Sequence, residues 1–459
     1  MDNLIKNGSD KFLVLNKNKP LRIITHNDAD GLTSGSILII ALSRDEYKFV
    51  ASNVKQLDDK TIEDLAKEDY ETFIFTDLGS GYLGKIKKHF KDKNIFILDH
   101  HEIDKNDFAL DSQNIVHINP KLINENDYNY VSGAGVVYLF IKFLNKRNVD
   151  LSYLALIGAI GDLQCLNKGL NSIILQDAIN SGKIEIKKGL KLFGYQSRAI
   201  HKVLQYSSDP FIPGVSGQED GAVNFLNELG IDINNGKHYR KLTDLDKEEM
   251  QRLIAGIIMK RMGIEKDPDD VIGDLYLLKD EEDDSIIKDA REFSTVLNCC
   301  GRMDAFSIGV GLCFGNKNIR SKAEELLKSY RIEIINALNY YYDNINDFPK
   351  SDCYIIINAK DNIRDTIIGT LMTILSKNNN LGNMVLIGMA YREDSIKISA
   401  RISGKVDIDL REVLMQIAPD YGTLGGHKQA CGGLIKRDEE KLFIDRATKV
   451  LNSMEMAQR

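Results

Sequence analysis

The sequence lacks the cysteine patterns and the long apolar runs that mark several common protein classes. Its six cysteines include no Cys-x-x-Cys pair and show no regular spacing, which argues against structural zinc and fits reduced thiols in a cytoplasmic protein. Its longest apolar runs, such as LALIGAIG, are far shorter than the roughly 20 residues that span a bilayer, and the N-terminus has no long apolar signal region. We therefore expect a soluble, cytoplasmic protein with no membrane segment.

An excess of positive charge is also absent. With a net charge of -7 and 28% charged residues, the chain has no uniformly basic coat for nucleic acid, although a local basic cleft is compatible with this charge. The 459 residues are more than one hydrophobic core usually holds, so we expect two or three domains.

The order of apolar and polar segments predicts an α/β protein. Three strand-like runs, LRIIT, ETFIFTD and KNIFILDHH, are separated by amphipathic helical segments, which favours parallel strands in βαβ units. We predict a parallel-sheet domain at residues 1–190 and a mainly helical inserted segment at 191–290. A return to the core with a long linking helix follows at 291–345, and a smaller α/β domain at 346–459.

Acidic residues and histidines follow each of these three strand-like runs. They are His26, Asp28 and Asp30 after the first, Asp77 after the second, and Asp99, His100 and His101 after the third. Parallel strands bind ligands beyond their carboxyl ends, so we expect the three clusters to converge at one edge of the sheet.

Such a convergence of carboxylates favours bound cations. Two carboxylates about 4 Å apart repel by about 4 kcal/mol at an effective dielectric constant near 20, and a divalent ion removes this cost. Aspartate oxygens with imidazoles and no thiolate suit Mn²⁺ or Mg²⁺ better than structural zinc, and the histidines favour Mn²⁺. Two such ions could polarise a phosphoryl oxygen and generate a hydroxide nucleophile.

Each cluster taken alone also has an ordinary structural interpretation. Aspartates are common in turns and helix N-caps, so Asp28 and Asp30 fit the start of a helix. Asp162 at the end of LIGAIGD fits a helix terminus, and the glycines around His427 fit a tight turn. What favours metal binding is that three clusters follow three strand-like runs.

Six motifs together resemble one family. The segments HNDADG, TDLGSG, LDHHE, GAIGD, NCCGRMD and GTLGGHKQACGG extend from residue 26 to residue 433. As a set they resemble a DHH-superfamily phosphoesterase, specifically an archaeal RecJ-like single-strand exonuclease of the GINS-associated nuclease type. The resemblance implies that residues 346–459 form the DHH-associated C-terminal domain, which binds substrate.

The resemblance also implies two bound Mn²⁺ ions, with Mg²⁺ as the alternative. Asp28 and Asp30 would bind different ions, and Asp77 would bridge them. His100 and Asp162 would complete the shell of one ion. His26 stands where bacterial relatives often have an aspartate, and it is the remaining candidate ligand.

Further roles follow from the same resemblance. His101 would face the scissile phosphate and act in catalysis with Asp77 and Arg302, while Asp99 would orient a histidine. Asn298 and Arg302 of LNCCGRMD would hold substrate phosphate. The residues implied to bind the nucleic-acid chain in the second domain are Arg401, Gly425, Gly426 and His427.

The implied function is a metal-dependent exonuclease for single-stranded DNA or RNA in DNA replication or repair. It would hydrolyse phosphodiester bonds by two-metal-ion, in-line attack of hydroxide. One alternative is a phosphodiesterase for oligoribonucleotides or cyclic dinucleotides in the same superfamily. Another is a replication-fork scaffold associated with GINS and the replicative helicase, with the inserted segment as the contact.

Overall fold

The computed structural model describes most of the chain, which divides into two units, Met1–Glu324 and Glu325–Arg459. The described residues are 1–103, 114–123, 130–207, 210–236, 238–263, 265, 267–377, 381–404, 406, 408–418 and 425–458. The side chains of residues 425–427 and 455–458 are outside this set. Among the described helices, none combines the length and the apolar character needed to cross a membrane.

The first unit contains a five-stranded parallel sheet. Its strands are β1 (Leu21–His26), β2 (Phe49–Val54), β3 (Thr72–Thr76), β4 (Asn94–Leu98) and β5 (Ile115–Ile118). Their order is β2-β1-β3-β4-β5, so the three strands predicted from sequence are the central ones. The two edge strands were missed because β2 is half-exposed and polar at Ser52 and Asn53, and β5 has only four residues.

Helices cover both faces of this sheet. On one face, α3 (Asp59–Lys67) and α4 (Leu83–His89) pack on phenylalanines and isoleucines of β3 and β4. On the other face lie α1 (Asp2–Leu13), α2 (Ala29–Arg44) and α5 (Gly133–Leu144). Phe12 of α1 contacts Phe96 and Phe140 edge-on at centroid distances of 5.3 and 5.5 Å, which ties the first helix to the sheet and to α5.

Four more described helices of this unit pack on α2 or on one another. They are α6 (Ser152–Gly161), α7 (Gly169–Asn180), α11 (Ala290–Arg302) and α12 (Phe306–Cys313). Helix α6 is apolar on nearly all sides because it packs between α2, α5, α7 and α11.

Between residues 191 and 271 the regular elements of the described residues are helices, as the sequence predicts, although turns and loops hold most of the residues. Strands β6 (Ile184–Leu190) and β7 (Ile272–Leu278) pair antiparallel and bring its two ends together. Helices α8 (Ile200–Gln205), α9 (Glu219–Glu228) and α10 (Lys247–Arg261) enclose a separate hydrophobic core that includes Phe225, Leu253 and Ile257.

Helix α13 (Arg320–Asn344) matches the long linking helix predicted from sequence and runs from the first unit into the second. The second unit has a mixed sheet in the order β11-β12-β10-β9-β8. Its strands are β8 (Tyr354–Asn358), β9 (Met384–Arg392), β10 (Ser395–Ser403), β11 (Gly425–His427) and β12 (Ala430–Lys436). Its other helices are α14 (Asp365–Ser376), α15 (Leu410–Ile417) and α16 (Glu440–Gln458).

The predicted α/β architecture, with a parallel first sheet and a second α/β domain, is confirmed. The domain boundaries that we predict at residues 190, 290 and 345 stay predictions.

A buried glutamate on α11 holds the start of the middle segment. The Glu292 carboxylate accepts hydrogen bonds from the Ser197 hydroxyl at 2.7 Å and from the backbone N–H groups of Gly194 and Gln196 at 3.1 and 3.4 Å. Burial raises the pKa of Glu292 to about 7. The Ser197 hydroxyl and Arg198 oppose this rise, and Asp289 adds to it.

This raised pKa makes stability depend on pH. Glu292 has an ordinary pKa of 4.5 when unfolded, so the folded chain retains a proton that the unfolded chain releases between about 4.5 and about 7. The free energy of unfolding should therefore fall as the pH rises through this window, by about 3 kcal/mol in all. We expect Glu292→Gln to flatten this dependence in thermal melts between about pH 5 and about pH 8. Glu63→Gln, at an exposed position of α3, should leave it unchanged.

Candidate metal centre

The turn between β1 and α2 brings the first acidic pair to the carboxyl edge of the sheet. Asp28 is the N-cap of α2, and its side chain accepts a hydrogen bond from the Gly31 N–H at 2.9 Å. A Cβ atom on Gly31 would lie 2.3 Å from the His26 carbonyl oxygen, so the turn requires glycine there. The sequence DADG thus places Asp28 at the N-cap of α2 and Asp30 in its first turn.

Asp30 is almost fully buried and points at the N-terminus of α5. Its two oxygens accept hydrogen bonds from the backbone N–H groups of Gly133 at 2.6 Å and Ala134 at 3.0 Å. These donors stabilise the charged form, and they fix the carboxylate against a helix that packs on the same sheet.

Asp77 follows β3 and lies at the centre of the cluster. Its backbone has a φ of 59°, in the left-handed region, and its side chain is 1% exposed. Its Oδ2 lies 3.7 Å from Nδ1 of His26, while its Oδ1 lies 3.4 Å from Nε2 of His100. The two oxygens of one carboxylate therefore face two different histidines.

His100 joins three of the carboxylates. Its Nε2 lies 3.1 Å from Asp162 Oδ2, 3.4 Å from Asp77 Oδ1 and 3.6 Å from Asp30 Oδ2. Asp162 is the C-cap of α6, so this apolar helix delivers a carboxylate from outside the sheet. On the other side, Nδ1 of His26 lies 2.9 Å from Asp28 Oδ2.

Asp99 has a different environment. It is fully buried, and its carboxylate accepts hydrogen bonds from Nδ1 of His101 at 2.8 Å and from the N–H groups of Ser80 and His100 at 2.9 and 2.8 Å. Burial pushes the pKa of Asp99 upward, but the His101 hydrogen bond and charge outweigh it and lower the pKa. Asp99 therefore stays charged and holds His101, whose side chain is 54% exposed.

The carboxylates of the cluster lie close together, and the histidines compensate their negative charge only in part. Burial, together with Asp77 and Asp162, raises the pKa of Asp30 well above its usual value, and burial also raises that of Asp162. Burial lowers the pKa of His100, yet Asp162 and Asp77 outweigh it, so the pKa is raised. Within the described residues, the ion-pair partners of Asp28, Asp30, Asp77 and Asp162 are all histidines.

The donor set fits divalent cations. Asp77 Oδ1 and His100 Nε2 are buried atoms that find no hydrogen-bond partner in the described part of the chain, although they face one another. Ligand atoms within 4.8 Å of one another form three sets: Asp77, His100 and His101; His26, Asp28 and Asp77; and Asp30, His100 and Asp162. Carboxylate oxygens suit both Mn²⁺ and Mg²⁺, and the imidazole nitrogens favour a transition metal such as Mn²⁺.

Helix α11 brings the predicted phosphate-binding residues to the same loop. The Asn298 side-chain oxygen accepts a hydrogen bond from the Ala29 N–H at 3.0 Å, so it holds the start of α2. A Cβ on Gly301 would lie 1.5 Å from the Asn27 carbonyl oxygen, which shows how closely α11 meets the β1–α2 turn. Arg302 is the last residue of α11 and is half-buried beside this contact.

The predicted substrate residues of the second unit share one part of its sheet. Arg401 of β10 pairs with Ala430 of β12, and Ala430 pairs with His427 of β11. The Arg401 guanidinium donates to the Ala400 carbonyl at 2.8 Å and to the Thr373 hydroxyl at 3.2 Å. Gly425 and Gly426 lie in β11. The His427 side chain and residues 421–424 of the glycine-rich motif lie outside the described set.

Sequence reasoning missed three residues that shape the centre. A Cβ on Gly133 would lie 2.6 Å from Asp77 Oδ1, and one on Gly158 would lie 2.3 Å from Asp30 Oδ1, so both glycines make room for carboxylates. Gln164 places its amide nitrogen 3.5 Å from His100 Nδ1. The only sequence signal for the two glycines was the pair of small-residue runs SGAG and LIGAIG, and Gln164 had none.

Three family models match successive parts of the chain. The DHH family, N-terminal domain, matches residues 20–161, the DHH-CID domain matches residues 192–273, and the DHHA1 domain matches residues 352–453. A relative from Methanocaldococcus jannaschii, described as uncharacterized protein MJ0831, is 31% identical over 451 residues, which cover 96% of this chain and 95% of the relative.

Two solved structures share the fold at low identity. RecJ from Thermus thermophilus, in complex with Mn²⁺, aligns over 98% of this chain with a TM-score of 0.59 and 15% identity, and this chain spans 55% of that RecJ. CDC45 from Entamoeba histolytica aligns over 98% of this chain and 97% of its own, with a TM-score of 0.64 and 14% identity. Both likenesses are of fold, one to a Mn²⁺-bound RecJ and the other to CDC45.

The crowded carboxylates predict that a divalent ion stabilises the fold. We expect Mn²⁺ to raise the melting temperature of the chain, because an ion that binds only the folded state adds its binding free energy to stability. Asp77→Asn should remove most of this rise, since Asp77 contributes to two of the three ligand sets. Asp64→Asn, at an exposed aspartate of α3, should keep it. An equal Mn²⁺ response in all three proteins would contradict the site.

Proposed function

The chain belongs to the DHH family, whose fold is that of phosphoesterases, and on that premise we propose that it is a metal-dependent exonuclease for single-stranded DNA or RNA. The observation that carries this proposal is the convergence of Asp28, Asp30, Asp77 and Asp162 with His26 and His100 at the carboxyl edge of the parallel sheet. An edge of this kind is where α/β sheets bind ligands.

Two cations are proposed, with Mn²⁺ as the working ion and Mg²⁺ as the alternative. His26 and Asp28 would hold one ion, and Asp30, His100 and Asp162 would hold the other. Asp77 is the proposed bridging ligand, because its two oxygens face the two histidines. Such ions would polarise a phosphoryl oxygen and supply the hydroxide for in-line attack.

The protein's own residues would bind and orient the substrate. His101 is bonded through Nδ1 to Asp99, so its Nε2 is the ring atom that would meet the scissile phosphate. Arg302 would hold a phosphate oxygen pair with its planar guanidinium, and Asn298 would position the loop that carries Asp28. In the second unit, Arg401, Gly425, Gly426 and His427 are the proposed contacts to the nucleic-acid chain.

The activity is testable with labelled single strands. We expect the wild type with Mn²⁺ to release mononucleotides from 5′- or 3′-labelled DNA or RNA, and chelator to stop the reaction. Asp77→Ala should lower turnover by about a thousandfold or more, because it removes a ligand from both proposed ions. The matched control is Asp64→Ala, at an exposed position of α3, which should be as active as the wild type.

Substrate length separates this function from its closest alternative. A 20-mer, a linear dinucleotide and a cyclic dinucleotide would be compared at equal concentration. Faster hydrolysis of the 20-mer is the expected result. A strong preference for either dinucleotide would instead make the protein an oligonucleotide or cyclic-dinucleotide phosphodiesterase.

We also propose that the protein acts in the cytoplasm in DNA replication or repair, in contact with GINS and the replicative helicase. The middle segment is the proposed contact, because Met259 of α10 and Met262, the residue that follows α10, are 71% and 62% exposed. All six cysteines are free thiols, which agrees with a reducing compartment.

This contact predicts a selective loss of binding. Changing Met259 and Met262 together to serine should reduce co-purification of GINS without changing hydrolysis of a single strand, because the two side chains lie outside the metal centre. Met415→Ser alters a 55% exposed methionine of α15 and is the control. Unchanged co-purification in the double variant would exclude this surface as the contact.

A further inference from the structure

Leu163, the residue after Asp162, combines two unfavourable features. Its φ is 56°, and its side chain is 94% exposed. The Leu163 N–H bonds to the Ile160 carbonyl at 3.0 Å, and the Gln164 N–H bonds to the Ala159 carbonyl at 2.9 Å, which closes the end of α6. Glycine is the usual residue at this position because a side chain is strained there. A leucine here therefore adds strain and gains no burial within the chain.

The loop that carries Leu163 is held rigidly beside the metal centre. Gln164 donates its amide to the Val131 carbonyl at 3.2 Å and lies 3.5 Å from Nδ1 of His100. Asn171, 1% exposed, donates to the Gln164 side-chain oxygen at 2.9 Å and to the Cys165 carbonyl at 3.3 Å. Leu163 thus sits on a loop whose position is fixed relative to Asp162 and His100.

A tyrosine and a lysine lie next to the same loop. The Asn171 N–H bonds to the Tyr130 carbonyl at 3.0 Å, so one buried residue ties Tyr130 and the 163–165 loop together. The Tyr130 side chain is 38% exposed, and Nζ of the exposed Lys168 lies 5.5 Å from its ring centroid. Asn171 therefore ties the Tyr130 backbone and the loop that carries Leu163 together, and Lys168 lies against the Tyr130 ring.

We propose that Tyr130, Leu163 and Lys168 form a nucleobase subsite at the rim of the metal centre, which rests on the proposed function. A base next to the scissile phosphate packs on the Tyr130 ring and the Leu163 side chain, and Lys168 contacts the adjoining phosphate. Stacking of this kind accepts any base, because every base has a π-face. The subsite therefore positions the strand without reading its sequence.

Abasic substrates test the contact with the base. Single abasic nucleotides would be placed at each of the three terminal positions of a labelled strand. For the wild type, we expect at least one abasic position to lower affinity and kcat/KM by about tenfold, the size of one lost stack. Tyr130→Ala should lower both by a similar factor on the intact strand and should no longer distinguish intact from abasic strands.

The matched control is Tyr206→Ala. Tyr206 is 56% exposed and has Lys202 Nζ at 5.8 Å from its ring, but it lies in the middle segment. We expect this variant to behave as the wild type on every strand. If Tyr206→Ala lost discrimination equally, or if Tyr130→Ala still discriminated as the wild type does, the subsite would be excluded.

Leu163→Gly separates a substrate role from a structural one. Glycine relieves the positive φ, so we expect a melting temperature equal to or above that of the wild type, together with a KM about fivefold to tenfold higher on the intact strand. Wild-type KM in this variant would remove Leu163 from the subsite. A lower melting temperature with unchanged KM would show instead that the leucine serves folding or a protein contact.

Binding is measured separately from hydrolysis, by fluorescence anisotropy of the labelled strand in chelator. If the wild type binds and cleaves while the variants match it, the subsite fails and the exonuclease proposal stands. If the wild type binds single strands but cleaves none, the exonuclease proposal fails, and the abasic affinities still decide the subsite. If the wild type neither binds nor cleaves single strands, both proposals fail.

Discussion

Mutual repulsion among buried carboxylates is the constraint on which the first unit depends. Asp30 and Asp77 are almost fully buried, and Asp162 reaches the same histidine from a different helix. Each buried charge needs hydrogen-bond donors or a counter-charge to be tolerated. The α5 N-terminus supplies donors to Asp30, and the histidines supply partial compensation. Cations are the simplest source of the remaining compensation, and this requirement connects the fold to the proposed chemistry.

The surrounding architecture keeps these groups close. Strands β1, β3 and β4 are adjacent in the sheet, so the residues that follow them are neighbours although they lie far apart in the sequence. Helices α5, α6 and α11 then close around the edge, and glycines at 133, 158 and 301 allow contacts that any side chain would block. Their loss would disturb the carboxylates as well as the packing, because the space that they leave is filled by Asp77, Asp30 and the Asn27 carbonyl.

The order of apolar and polar residues predicted the central strands, the long helix and the two α/β units. Continuous apolar runs and helical spacing are local properties that the sequence shows directly. The polar edge strand β2, the short β5 and the first helix α1 were missed, since their identity depends on pairing and packing with distant segments. Asp28, Asp30, Asp77 and His100 were candidates from their place after strands. Gln164 was not, because a lone glutamine carries no signal until His100 is seen beside it.

The sequence by itself determined the α/β class and which polar residues follow the strands, because strand periodicity and motif spacing are written along the chain. It also contained the family resemblance. Only the tertiary structure decided that Asp77 turns its two oxygens to different histidines, that Asp99 holds His101, and that Leu163 is strained and exposed beside Asp162. These are relations between side chains from separate segments, and their distances are set by sheet order and helix packing rather than by neighbours in the sequence.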